Sequence, residues 1–340
     1  MNSKRVAVGA VVTLEALVLG AFASGEAAAG SGQAAQPRIA AVIKGLDNPF
    51  FQAMKQGIDD QARAGGVTVT VQAANSITDT TGQADKLNGL AGQDYSCYVV
   101  NPISGTNLIQ GLARLSALNK PIVNIDSPVD PAAAKSANVK LATYIGTDNV
   151  EAGMMAGRRM TELLPSGGEV AVVGGIAGDV TSGARVEGFQ KGIGPGLKVV
   201  QTVAANWERQ AALTAATDVM RANPNLAGFF VANDDMGLGV ARAIANSGKT
   251  GQVKVISVDG NKEALEAVKA GTLDGTVSQY PYAIGLMGVE ACQAATAGKT
   301  LPPNVKAPVE MITKDNADQA LASTPKPFGP YDDPFKALVQ

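Results

Sequence analysis

Six apolar runs in this 340-residue chain end on side chains that can hydrogen-bond. Lys44 follows "RIAAVI", Asn101 follows "SCYVV", and Asp126 with Ser127 follows "PIVNI". Asn233 follows "GFFVA", Asp259 follows "KVISV", and Gln279 follows "GTVS". Any one of them could be a helix cap or a turn residue. Together they supply amides that donate and accept, carboxylates that accept, and a cation that donates. No strong nucleophile stands beside a base, no metal-ligand spacing occurs, and the chain has no histidine. Histidine triads, histidine-ligated zinc and most general acid–base schemes are thereby excluded. The chemistry left is that of holding a neutral ligand covered in hydroxyls, with no cofactor and no metal.

The aromatic residues point the same way. In "GLDNPFF", residues 45–51, Asn48 followed by Pro49 reads as a helix start. Phe50 and Phe51 then lie in the first turn, about 100° apart, and cannot both centre one core-facing stripe. They are expected to leave the core and face a cleft. Trp207, the only tryptophan, follows a strand and is flanked by Asn206, Glu208 and Arg209, which favours a cleft position too. By contrast, Phe229 and Phe230 are expected in the core, and Arg185 in "SGARVEGF" reads by itself as a solvated helix residue.

Two glycine-rich stretches do not carry phosphate chemistry. "AIANSGKT" loosely matches a phosphate-binding loop, but it ends a helix and enters a strand, the reverse of the required order. "GGIAGD", residues 174–179, follows a strand, yet it lacks a dinucleotide spacing and its Asp179 opposes an anion. It is read as a turn of close approach.

Stepping along the chain from Arg38, apolar strands alternate with amphipathic helices. Uniformly apolar strands separated by helices indicate parallel sheets covered on both faces. They are too many for one sheet and lack a barrel's eightfold count, so the expected fold is α/β with two doubly wound lobes. In such sheets ligands bind beyond the carboxyl ends of the strands, where the six polar endings lie. A net charge of −2 offers no basic footprint, so no nucleic-acid partner is expected.

The first residues read as an export signal: Lys4 and Arg5, an apolar run from Val6 to Ala23 broken by Glu15, then small residues such as "AFA". A membrane anchor is the rival, but the run falls short of the ~20 clean apolar residues of a span. "GSGQAAQPR" is a flexible leader. Export would permit a disulfide between Cys97 and Cys292; placed in a strand and inside a helix, they are expected to be two buried thiols.

The motifs "NPFF", "TDNVEAG", "GARVEGF", "ANDDMGLG", "VDG" and "SQYP" occur in that order. As a set they make the chain resemble the periplasmic sugar-binding proteins that serve ABC transporters, in the ribose- and allose-binding group, from about residue 38 to about 313. The resemblance implies a type I periplasmic binding protein, two lobes joined by a three-segment hinge with crossings near Thr147, Gln279 and Ala307. The signal and leader would then occupy 1–37. The first lobe would be 38–146 plus 280–307, and the second 147–279 plus 308–340. The last part, "STPKPFGPYDDPFKALVQ", is expected to lie extended along the surface. By motif, Asn48, Phe50 and Phe51 would grip and stack on the sugar, with Asp126 beside them. Arg185, Trp207, Asn233, Asp259 and Gln279 would serve from the second lobe. Lys44 and Trp207 look more like the allose type, whereas Ser127 departs from both groups. The resemblance further implies a monosaccharide ligand, a membrane permease as partner, a monomer in the periplasm and no enzymatic activity. A receptor for chemotaxis or sensing is the alternative.

Overall fold

The computed structural model describes residues 37–339, so the expected export signal lies outside the described residues. The first run of elements is β1 (Arg38–Ile43), α1 (Pro49–Ala64), β2 (Thr68–Ala73), α2 (Thr80–Ala91), β3 (Cys97–Val100), α3 (Ile109–Ala117), β4 (Ile122–Ile125), α4 (Pro131–Ser136) and β5 (Thr143–Thr147). The second is α5 (Asn149–Leu163), β6 (Gly168–Gly174), α6 (Val180–Gly192), β7 (Leu197–Ala204), α7 (Arg209–Ala222), β8 (Leu226–Val231), α8 (Asp234–Asn246), β9 (Lys254–Asp259), α9 (Lys262–Ala270) and β10 (Gly275–Gln279). The chain finishes with α10 (Pro281–Thr296), β11 (Asn304–Ala307), β12 (Val309–Ile312), α11 (Ala317–Ser323) and α12 (Lys336–Val339).

Two six-stranded sheets result, ordered β11-β5-β4-β3-β1-β2 and β12-β10-β9-β8-β6-β7. Every pairing is parallel except β10 with β12. Strands such as "CYVV" and "IVNI" are buried along their whole length, because helices cover both faces of each sheet. Four apolar clusters correspond to the two faces of the two sheets. Phe229 and Phe230 point into opposite ones, as alternate residues of a covered strand must. The structure is thus two doubly wound α/β lobes, as the resemblance implied. Side-chain caps start the helices that approach the strand ends: Asn48, Asp79, Asp148, Asp179 and Asn233 each accept from a main-chain N–H. "AIANSGKT" ends α8 through Gly248, at φ 68°, and leads towards β9, so no helix N-terminus faces a phosphate there.

The chain passes between the lobes three times. β5 pairs in the first sheet and α5 packs on β9 and β10 of the second. β10 belongs to the second sheet, while α10 packs on α1, β3 and β4. β11 pairs with β5, and after Pro308 the chain joins β10 as β12.

Two expectations are overturned. Cys97 and Cys292 are not free thiols but a disulfide. α10 lies directly on β3, which brings their Cα atoms to 5.7 Å, within bridging range. In the chain-entropy account a closure this long stabilises by about 5 kcal/mol. The tail, too, does not belong wholly to the second lobe: it runs partly buried along the surface but is anchored in the first lobe. Phe335 is fully buried in the first-lobe cluster around α1 and α10, with Tyr331 and Leu338 packed against it. Phe328 packs against clusters of both lobes. Aromatic residues spaced between prolines give the segment apolar surface to bury, and the fixed proline φ lowers the cost of ordering it.

The docked tail brings an acid pair together. Asp333 caps the last turn, its Oδ1 accepting from the N–H groups of Phe335 and Lys336 at 3.1 and 3.2 Å. Beside it Glu290, on α10, is 5% exposed. Burial and then the Asp333 carboxylate push Glu290 from 4.5 up to about 8, with Lys336 opposing. A folded-state value above the unfolded one means the native protein holds the extra proton. The associated stability is full below about 4.5 and is lost as pH rises through about 8. Glu290→Gln is therefore expected to raise the melting temperature at pH 9 and to leave it nearly unchanged at pH 5. Equal shifts at both pH values in differential scanning calorimetry would rule this out.

Candidate functional site

The carboxyl ends of the two sheets face a common cleft of about 550 Å³ of empty space, continuous with solvent. The first lobe lines it with Lys44, Asn48, Phe50, Phe51, Asp126 and Ser127, and the second with Arg185, Trp207, Asn233 and Asp259. Asn101 and Gln279, also expected there, stand one layer behind. Asn101 is fully buried and its Oδ1 accepts from Ser127 N at 3.3 Å. Gln279 donates from Nε2 to Asp259 Oδ1 at 2.7 Å. Both hold a wall residue in place.

Phe50 and Phe51 sit edge to face, with ring centroids 5.1 Å apart. They line the cleft yet remain part of the first-lobe core, 4% and 8% exposed. The two rings are thus the upper edge of the core, where it opens to the cleft, and have not left it. Asn48 spends Oδ1 on the N–H of Phe50 at 2.9 Å, which leaves its NH₂ for a ligand. Lys44 donates to Ser127 Oγ at 2.7 Å, and Ser127 Oγ lies 3.4 Å from Asp126 Oδ2. Burial lowers the Lys44 pKa, the carboxylates of Asp126, Asp179 and Asp259 raising it and Arg185 lowering it further.

In the second lobe Arg185 departs from its pattern. It is not a solvated helix residue but 4% exposed, donating from Nε to Asn149 Oδ1 at 2.8 Å and from Nη1 to the Ala232 carbonyl at 2.6 Å. Nη1 also meets Asp259 Oδ1 at 3.3 Å. The guanidinium stands 5.8 Å from the Trp207 ring, which itself lies flat over Gly175. A Cβ at Gly175 would come within 2.1 Å of the indole, so the "GGIAGD" turn is indeed a close approach. Asn233 caps α8 through Met236 N and keeps its amide towards the cleft.

Ile77, Ile103, Ile176, Asp179 and Thr181 also line the cleft and were not anticipated. Asp179 caps α6 and Thr181 lies in its first turn; their signal is the helix start after "GEVAVVGG", because the strand ends at Gly174 and the strand-end rule does not reach so far. The isoleucines sit in loops and carry no such signal.

A family model described as a periplasmic binding protein domain matches residues 39–300. The chain belongs to this family. The D-allose-binding periplasmic protein of Escherichia coli is 37% identical over 274 residues, covering 79% of this chain and 88% of that one. A ribose import binding protein of Bacillus subtilis is 30% identical, covering 84% and 90%. Among solved structures, an ABC transporter solute-binding protein of Actinobacillus succinogenes with bound D-allose aligns with a TM-score of 0.79 at 28% identity, over 83% of this chain and 99% of that one.

The ionisable groups of this binding protein respond to burial. Asp234, fully buried, accepts from Ser257 Oγ, Thr276 Oγ1 and Asn261 N, and burial still raises it to about 6. Burial likewise pushes Asp259 up to about 8; Arg185 pulls it down and Asp234 pushes it further up. A hydroxyl donated to Asp259 binds the ionised form, so binding at pH 7 should release protons and weaken as pH falls below about 8. Titration calorimetry with any ligand whose hydroxyl reaches Asp259 is expected to give different heats in phosphate and in Tris. The difference should vanish in Asp259→Asn; identical wild-type heats in the two buffers would refute the assignment.

Proposed function

We propose that this protein is an exported, monomeric solute receptor that captures a monosaccharide of the ribose or allose type between its lobes and delivers it to an ABC importer. The observation that carries this reading is the composition of the cleft walls: Phe50 and Phe51 from one lobe and Trp207 from the other, ringed by amides and by charges of both signs. A pyranose has apolar C–H faces and a hydroxyl edge, which such walls complement. Asp126 and Asp259 accept hydroxyl hydrogens, Lys44 and Arg185 donate to the remaining lone pairs, and Asn48 and Asn233 donate from the NH₂ groups that helix capping leaves to them. The relatives named for allose and ribose, and their transporter association, support the same substrate class.

Hydrogen bonds to charged groups contribute roughly 1.5–3 kcal/mol each. Micromolar affinity needs only about 8 kcal/mol net. The cleft therefore holds enough groups for tight binding after the costs of immobilising sugar and lobes. Ligand groups on both lobes make the sugar favour the state in which the lobes are closed on it.

Asp126→Asn is the clean probe, because Asn tolerates the positive φ of 58° at this position and Asp126 forms no salt bridge with any of the described residues. Arg185→Ala would instead leave Asp259 buried without its partner and disturb the fold as well. Titration of the fluorescence of Trp207 with D-allose, D-ribose, D-xylose, D-galactose and myo-inositol should saturate for at least one sugar. Asp126→Asn should weaken that binding tenfold or more. No saturable response to any of the five, from folded protein, would count against the proposal.

A further inference from the structure

We infer that Tyr144, on the strand leading into the first crossing between the lobes, is a positioning residue that aims the Asp126 carboxylate into the cleft. The inference rests on the reading of Asp126 as a ligand group. Asp126 stands at φ 58°, a left-handed conformation that L-residues other than glycine adopt uncommonly. Its backbone is fastened on both sides by β5. The N–H donates to the Ile145 carbonyl at 2.8 Å, and the carbonyl accepts from the Tyr144 hydroxyl at 2.6 Å. One of these bonds is main chain to main chain and survives substitution; the other depends on a single phenolic oxygen.

The space for that oxygen is set by Gly146. A Cβ there would lie 2.1 Å from the Tyr144 hydroxyl and 3.0 Å from the Asp126 carbonyl. Burial, then the Asp126 charge, raises the Tyr144 pKa, with Arg185 opposing, so the phenol keeps its proton and donates throughout the neutral range. The next residue is held separately: Ser127 N donates to Asn101 Oδ1, and the Ser127 carbonyl accepts from Asn124 Nδ2 at 2.9 Å. The Ser127 N–H and the Asp126 carbonyl belong to one peptide, so Asn101 and the Tyr144 hydroxyl hold its plane from two edges, and loss of the phenolic oxygen leaves it held on one edge only. Rotation of that plane would swing the carboxylate relative to Lys44 and Ser127. Tyr144 is absent from the cleft wall, so it acts on ligand only through Asp126.

The test is a double-mutant cycle on affinity for the sugar that binds the wild type, using the full chain. Tyr144→Phe removes one oxygen and should keep the circular dichroism and the ligand-free melting temperature close to wild type. Its dissociation constant should rise roughly 5- to 10-fold. In the Asp126→Asn background, where the carboxylate to be aimed is already gone, the same substitution should cost less than about twofold. A purely structural Tyr144 would give the same loss in both backgrounds, and that result, or an unchanged affinity in Tyr144→Phe alone, overturns the inference while leaving the cleft assignment standing. If Asp126→Asn itself binds like wild type, the ligand role of Asp126 falls and this inference falls with it.

Discussion

The second lobe is organised around a buried pair of ionisable groups. Arg185 and Asp259, about one-twentieth exposed, meet at 3.3 Å at the end of a sheet, where neither could be ionised alone without a large desolvation penalty. Their surroundings follow from satisfying them. The α5 start supplies Asn149 to Arg185, the end of β8 supplies the Ala232 carbonyl, and β10 supplies the amide of Gln279 to Asp259. Five elements, α5, α6, β8, β9 and β10, are thus brought to one point by the hydrogen-bond needs of two side chains. A ligand that enters meets groups already desolvated and oriented, and much of the ordering cost of binding has been met during folding.

The first lobe achieves order differently. It presents one cation, Lys44, tied to a hydroxyl and not to a carboxylate, and two rings that belong to its core. Because Phe50 and Phe51 are braced from below by Met54, Ile58 and the α10 side chains of the same cluster, they form a rigid platform. The aromatic face is therefore fixed by packing and the polar face opposite it by electrostatics. That division suits a ligand with one kind of surface on its ring faces and another on its rim.

How much of this could be read in the chain depends on the range over which each cause acts. The strands and helices were legible because their apolar periodicity is local, and the strand ends were legible because parallel α/β topology forces them to one side. Ten of the twelve expected residues line the cleft. Arg185 could not be judged from its own helix, since the partners that bury it lie 36, 47 and 74 residues away. Asn101 and Gln279 obeyed the strand-end rule but sit one layer deep, a distinction that depends on which neighbour reaches further. β11 and β12, four residues each, are too short to show a period and exist because β5 and β10 offer edges beside the hinge. The disulfide was missed because a thiol's partner is set by how α10 settles on β3, across 195 residues of sequence.

The tail poses the same problem at larger scale. Its composition suggested a segment extended along the surface, and most of it is, yet Phe328 touches the apolar clusters of both lobes and Phe335 is buried in one. A segment joined to both halves of a hinged protein far from the hinge axis would lock it. Its position argues otherwise. Phe328 lines a second cavity together with Gln279, Tyr280 and Pro281, the residues of the second crossing itself. Rotation of the lobes displaces atoms in proportion to their distance from the hinge axis, so a ring seated beside a crossing moves little while the cleft walls move much. Packing there can add apolar burial to both lobes at a place where opening the cleft disturbs it least, leaving the free energy of closure to the ligand and to the charges that face it.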